Sequence, residues 1–171
     1  MPGIRIVRGS SMPPYEAWTR LTDWERHGAQ VPFTRTSLHT APPTRVGTRF
    51  TAVTGMGRFV VNDVMEVTVW RPPLGRAPGL ARLEKRGRLV HGWAEIEVRP
   101  AADTGSEVHW REELRLFGFP RLLDPLVAVA GRRLFGRAVD RLLAPGPAGT
   151  GGGRGAARGD RGEPTGTAEG Q

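Results

Sequence analysis

Cysteine is absent from the 171 residues. That excludes a disulfide framework, a thiolate nucleophile and any Cys-based zinc or iron–sulfur centre. Lysine is almost absent too: Lys85 is the only one, so nearly every positive charge is an arginine. No stretch reaches the roughly 18 uncharged apolar residues that a membrane span requires. The opening MPGIRIVRGSS has no apolar run resembling a signal-peptide core. A soluble cytoplasmic protein is therefore expected, without stable membrane insertion. No serine sits in a G-x-S-x-G elbow and no phosphate-binding glycine loop opens a helix, so neither a Ser/His/Asp hydrolase nor a P-loop enzyme has support.

What the sequence does hold is positive charge, +8 net. Such an excess suits nucleic acid. Here the arginines are scattered rather than gathered, and Ala, Gly and Pro are abundant, the composition of a GC-rich coding bias. A nucleic-acid partner is not expected. From Pro145 onward there is no Val, Ile, Leu, Met or aromatic residue. Such a segment cannot bury enough surface to offset its ordering entropy. Residues 1–144 are expected to form one domain, and 145–171 a disordered Gly/Pro/Arg-rich tail. Arg154, Arg158 and Arg161 balance Asp160, Glu163 and Glu169, so the excess charge belongs to the domain.

Short alternating segments fill the domain between helices at its two ends. Residues 3–10 read as a first strand, and PPYEAWTRL (13–21) as a short helix with Pro at its start. Further β segments are expected over 33–40, 46–54, 58–70, 80–86, 88–99 and 106–117, separated by Pro-, Gly- and Asp-bearing turns. Apolar parity runs through Val46, Thr48, Phe50 and Ala52; through Phe59, Val61, Met65, Val67 and Val69; through Ala94, Ile96 and Val98; and through Val108, Trp110, Leu114 and Leu116. The Gly55–Gly57 pair reads as a turn. Residues 124–143 read as the longest helix, with Asp124 as N-cap, Pro125 in the first turn, and an apolar stripe of Leu126, Ala130, Leu134, Ala138 and Leu142. Arg133, Arg137 and Arg141 lie opposite it.

The stretch TDWERHG (22–28) packs Asp23, Glu25 and His27 together. Thr22 followed by Glu25 fits a capping box, Asp23 suits the positive helix end, and Gly28 reads as a stop. Asp23 and His27 make only two ligands, too few for a metal, so no metal site is expected.

Taken together, PPYEAWTRLTDWERHGAQVP, VGTRF, MEVTVWRPP, GWAEIEVRPAADTGSEVHWREEL and the closing helix resemble the START-like (SRPBCC) superfamily, and within it the bacterial polyketide cyclase/dehydrase and lipid-transport-like branch. The resemblance covers residues 3–143. It implies an α+β helix-grip fold: a curved antiparallel sheet of about seven strands around a long C-terminal helix, with two short helices after the first strand. It also implies a mostly apolar cavity between sheet and helix.

With the apolar parity pointing inward, three polar residues intrude: Asp63, Lys85 and Glu112. A carboxylate in an apolar cavity acquires a raised pKa and can act as general acid or base, so Glu112 and Asp63 are the candidate catalytic residues. Phe50, Phe59, Met65, Lys85, Trp110, Leu114, Leu134 and Ala138 are the candidate ligand-binding residues. His109 alternates with Arg111 and Glu113 on the expected solvent face. The leading expectation is binding of a hydrophobic small molecule (a lipid, isoprenoid or aromatic polyketide) with no cofactor. The alternatives are a polyketide cyclase or aromatase using a cavity carboxylate, and an interaction or nucleic-acid-binding module using the basic helix face and tail.

Overall fold

The computed structural model describes residues 3–56, 59–102, 104–118 and 124–144. The expected tail (145–171) and the expected turn at Gly57 lie outside them. The side chains of Phe59, Leu116, Asp124, Pro125 and Leu126 are likewise outside the description, so the expected Asp124 cap is too.

Strand β1 (Gly3–Ser10) is followed by two short helices, α1 (Pro14–Leu21) and α2 (Trp24–Ala29). Then come β2 (Thr34–Leu38), β3 (Arg49–Met56), β4 (Phe59–Arg71), β5 (Gly79–Arg86), β6 (Val90–Pro100) and β7 (Ser106–Leu116), and finally α3 (Asp124–Leu142). The strands form one seven-stranded antiparallel sheet in the order β1-β7-β6-β5-β4-β3-β2. Strands β2 to β7 are a meander of hairpins, and β1 pairs with β7 at the far edge.

The register lines the inner face up in rows. Ile4, Glu112, Ala94, Leu83 and Val67 are successive cross-strand partners, and so are Ile6, Trp110, Ile96, Ala81 and Trp70. All are buried except Trp70, which packs on the core from partial burial. A third row runs from Leu114 through Gly92, Lys85, Met65 and Phe50 to Leu38. Alternation puts these side chains on one face because successive Cβ atoms in a strand point oppositely.

Several expectations are corrected. Val69 does not share the inner face with Val67. A bulge between them shifts the register so that Val69 opposes Arg82 and Trp70 opposes Ala81. One extra residue flips everything after it. Gly55 lies within β3 opposite Val60 rather than in a turn, and Val46 is exposed ahead of the strand. In α3, Ala130 is exposed, whereas Leu134, Phe135, Ala138, Val139 and Leu142 turn inward to varying depth. A stripe of strict four-residue steps drifts around a helix of 3.6 residues per turn, so the buried face is the mixed three-and-four pattern. Arg133, Arg137 and Arg141 are exposed.

The N-cap of α2 is Asp23, whose side chain accepts from the Arg26 amide at 3.0 Å. Thr22 instead donates its hydroxyl to the Trp18 carbonyl at the end of α1, 2.8 Å away. Gly28 does not stop the helix, which runs on to Ala29. A Cβ at Gly28 would sit 2.0 Å from Thr36 Oγ1, so this glycine is what lets α2 press against β2. Among the described residues no helix is long and apolar enough to cross a membrane.

Candidate functional site

Between the inner face of the sheet, α2 and α3 lies a partly open cavity. Its volume is about 160 Å³. Helix α2 supplies Trp24, His27 and Gly28, with Val31 just beyond it, a run with i, i+3, i+4, i+7 spacing that puts all four on one side. Helix α3 supplies Leu134 and Phe135, and the strands supply Phe50, Ala52, Met65, Leu83, Ala94 and Trp110.

The walls are aromatic in an ordered way. Trp24 stacks on Phe50 at 4.9 Å and 14°. His27 stacks on Trp110 at 5.0 Å and 20°, and Trp110 in turn faces Phe135 at 6.0 Å and 18°. His27 was assigned only a helix-end role from the sequence. The spacing Trp24–His27–Gly28–Val31 was the available signal, because it marks His27 as facing the same way as a buried tryptophan.

On this apolar wall sits a three-residue charged cluster. Lys85 Nζ hydrogen-bonds to Asp63 Oδ2 and touches Met65 Sδ at 4.0 Å. It also lies 3.1 Å from Glu112 Oε1. The other Glu112 oxygen accepts from Trp110 Nε1 at 3.1 Å. The side chains of Lys85 and Glu112 are only 4 % and 1 % exposed, so the pair is as dry as the aliphatic core around it. Burial opposes charge on Lys85, but the two carboxylates outweigh it and hold its pKa above the usual lysine value. Burial also raises the Asp63 pKa, against the pull of Lys85. Burial lowers the pKa of His27 more than the negative charge of Glu112 raises it, leaving a neutral ring near pH 7.

Three polar atoms at the cavity make no hydrogen bond among the described residues: Asp63 Oδ1, Glu112 Oε1 and His27 Nδ1. A buried polar atom without a partner costs about 1–3 kcal/mol.

Of the residues singled out from sequence, the structure gathers Phe50, Asp63, Met65, Lys85, Trp110, Glu112 and Leu134 around this one cavity. Leu114 and Ala138 are not in its lining: Leu114 packs partly buried against the core, and Ala138 is fully buried. His109 is not on an open solvent face. It is 9 % exposed and pairs with Glu107 on the face of the sheet opposite the cavity. Among the described residues no group of three His, Asp or Glu side chains is placed to hold a metal.

No protein-family model matches the chain, and no curated protein matches it. Solved structures do. The protein TTHA0849 from Thermus thermophilus is 19% identical, with a TM-score of 0.62 over 83% of this chain and 97% of that one. Ara h 8.0201 is 11% identical, with a TM-score of 0.56 over 82% and 97%. A point mutant of Thalictrum flavum norcoclaurine synthase, in complex with a transition-state analogue, is 15% identical, with a TM-score of 0.56 over 82% and 92%. The fold is the helix-grip fold. At these identities the likeness concerns architecture, and function has to be argued from the cavity.

Proposed function

We propose that the protein binds a compact hydrophobic small molecule in the cavity between the sheet and α3. The observation that carries this reading is an apolar, aromatic-walled space with a few convergent polar groups, the usual composition of a small-molecule site. Its volume decides between ligand sizes. An engineered cavity of about 150 Å³ in another protein holds one benzene ring, and this one, at about 160 Å³, is of the same order. A single ring or a short branched chain suits it. A full lipid or a long poly-β-keto chain would need α3 or α2 to move outward. The entry route is the side where Val31 and Thr34 line both the cavity and a surface hollow bordered by Phe33, Arg35 and Val60.

Purified protein is expected to show quenching of tryptophan fluorescence and a rise in melting temperature on titration with single-ring apolar molecules, since Trp24 and Trp110 form the wall. Absence of both responses across such a panel sinks the reading.

A second reading, acid/base catalysis of a cyclisation or dehydration, is favoured by one observation: Asp63 has a raised pKa and an unpartnered oxygen at the cavity. Turnover of a short poly-β-keto substrate that survives both Asp63→Asn and Glu112→Gln would dismiss it.

A further inference from the structure

We propose that the head group this cavity selects is a protonated amine, carried on a single-ring body. The inference rests on the small-molecule reading above and narrows it to one chemistry.

The atoms awaiting a partner are acceptors. Asp63 Oδ1 and Glu112 Oε1 are carboxylate oxygens, and neither receives a hydrogen bond among the described residues. Lys85 Nζ lies 3.1 Å from Glu112 Oε1 and pairs with it in charge, while its hydrogen bonds go to Asp63 Oδ2 and Met65 Sδ. The third unpartnered atom, His27 Nδ1, is also an acceptor when the neutral ring carries its proton on Nε2. A ligand group that satisfies these atoms must donate several hydrogen bonds in different directions, as an ammonium with up to three N–H bonds does.

Charge points the same way. With both carboxylates ionised, Lys85 balances only one of them, so the cluster carries one negative charge in excess beside an apolar space. A cation restores neutrality there. A carboxylate ligand would bring a third anion to one ammonium, and a neutral hydroxyl would satisfy one acceptor and leave the charge.

The test is a matched set of probes of nearly one size: benzylamine, benzyl alcohol, toluene and benzoate, each titrated into the full-length protein with tryptophan fluorescence and calorimetry as readouts. Benzylamine is expected to bind about tenfold or more tighter than toluene, as hydrogen bonds to charged groups imply, with benzyl alcohol between and benzoate weakest. In the Glu112→Gln variant, its fold checked by far-UV circular dichroism, the benzylamine preference over toluene is expected to fall away, and a preference that survives in the folded variant overturns the proposal. Benzylamine binding no tighter than toluene overturns the proposal and leaves the small-molecule reading standing. Preference for benzoate overturns it in the opposite direction, making Lys85 the recognition group. Failure of all four to bind overturns both readings.

Discussion

The two faces of the same sheet hold charge under opposite conditions. On the outer face Arg82 and Arg111 both reach Glu95, at 3.4 and 3.2 Å, while Arg99 pairs with Glu97 at 2.9 Å and Arg86 with Glu84 at 3.1 Å. These side chains keep contact with water, and exposed pairs of this kind contribute about 0–1 kcal/mol each. One residue away along β5 and β7, Lys85 and Glu112 point the other way and lose almost all their water. The outer ladder is built from arginine, whose planar fork spans several carboxylates. The inner position is the single lysine of the chain. A compact ammonium sits between Asp63 Oδ2, Glu112 Oε1 and the Met65 sulfur as a point charge with rotatable donors. The lesson is that a change of one in strand parity turns the same residue types from solubilising decoration into a structural commitment.

Lys85→Met should break that contrast most severely. It leaves two carboxylates facing each other in an apolar space, and removal of one partner from a buried ionic cluster costs about 3–5 kcal/mol. Urea unfolding at neutral pH should show the loss. The penalty should shrink on acidification, as Asp63, whose pKa is already raised by burial, takes up a proton. A loss no larger than that of a surface arginine would show that the cluster is wetter than its burial implies.

Replacing all three groups sharpens the same point. Lys85→Met with Asp63→Leu and Glu112→Leu removes every charge from the cavity wall together. Substituting a whole buried ionic cluster by apolar residues is neutral or stabilising, by about 1–4 kcal/mol. The triple variant is expected to unfold at equal or higher urea concentration than the wild type, while toluene and benzylamine bind it alike. Such a result would identify the cluster as retained for recognition at some expense of stability. A triple variant less stable than Lys85→Met alone would show that the cluster holds the sheet together.

How much of this was legible beforehand follows from what each feature depends on. The strands and the long helix were readable because their periods repeat over many residues, and the intrusion of Asp63, Lys85 and Glu112 into apolar parity was readable for the same reason. The bulge after Val67 was not: an insertion of one residue leaves no compositional mark, and Trp70 entered the core where Val69 was expected. Local capping also misled. Thr22 and Asp23 are both good caps, and the choice between them was made by the α1 end, which needed the Thr22 hydroxyl for the Trp18 carbonyl. His27 was read as part of a helix end because its partner, the Trp110 ring, comes from a strand more than eighty residues later. Its contact is set by Gly28 allowing α2 to close on β2, a tertiary fact.

On the outer face the expected effects are small. Arg111→Met removes the contacts to Glu95 and Glu97, at 3.2 and 3.8 Å. Its guanidinium is about as solvated as those of its neighbours, so the loss should stay below about 1 kcal/mol and shrink further in high salt. A cost equal to that of Lys85→Met would erase the distinction between the faces.

The finest test of the contrast is the pH response of the inner groups, which carry opposite signs. Burial holds the folded His27 pKa below its ordinary 6.5. Between the folded value and 6.5 the unfolded chain therefore binds more protons, so this residue makes stability rise with pH through that window and adds nothing further above it. Asp63 acts in reverse. Its folded pKa lies above 3.8, so the stability associated with its protonated form is lost as pH rises through the folded value. Unfolding midpoints followed from acid to neutral pH should separate the two, because His27→Phe keeps a ring against Trp110 but removes the rising component alone. Asp63→Asn should remove the falling component alone. Superposable wild-type and His27→Phe profiles below pH 6.5 would mean that the imidazole reaches water and is not held neutral over the cavity. The donor–acceptor balance inferred for the bound head group would then rest on the two carboxylates without it.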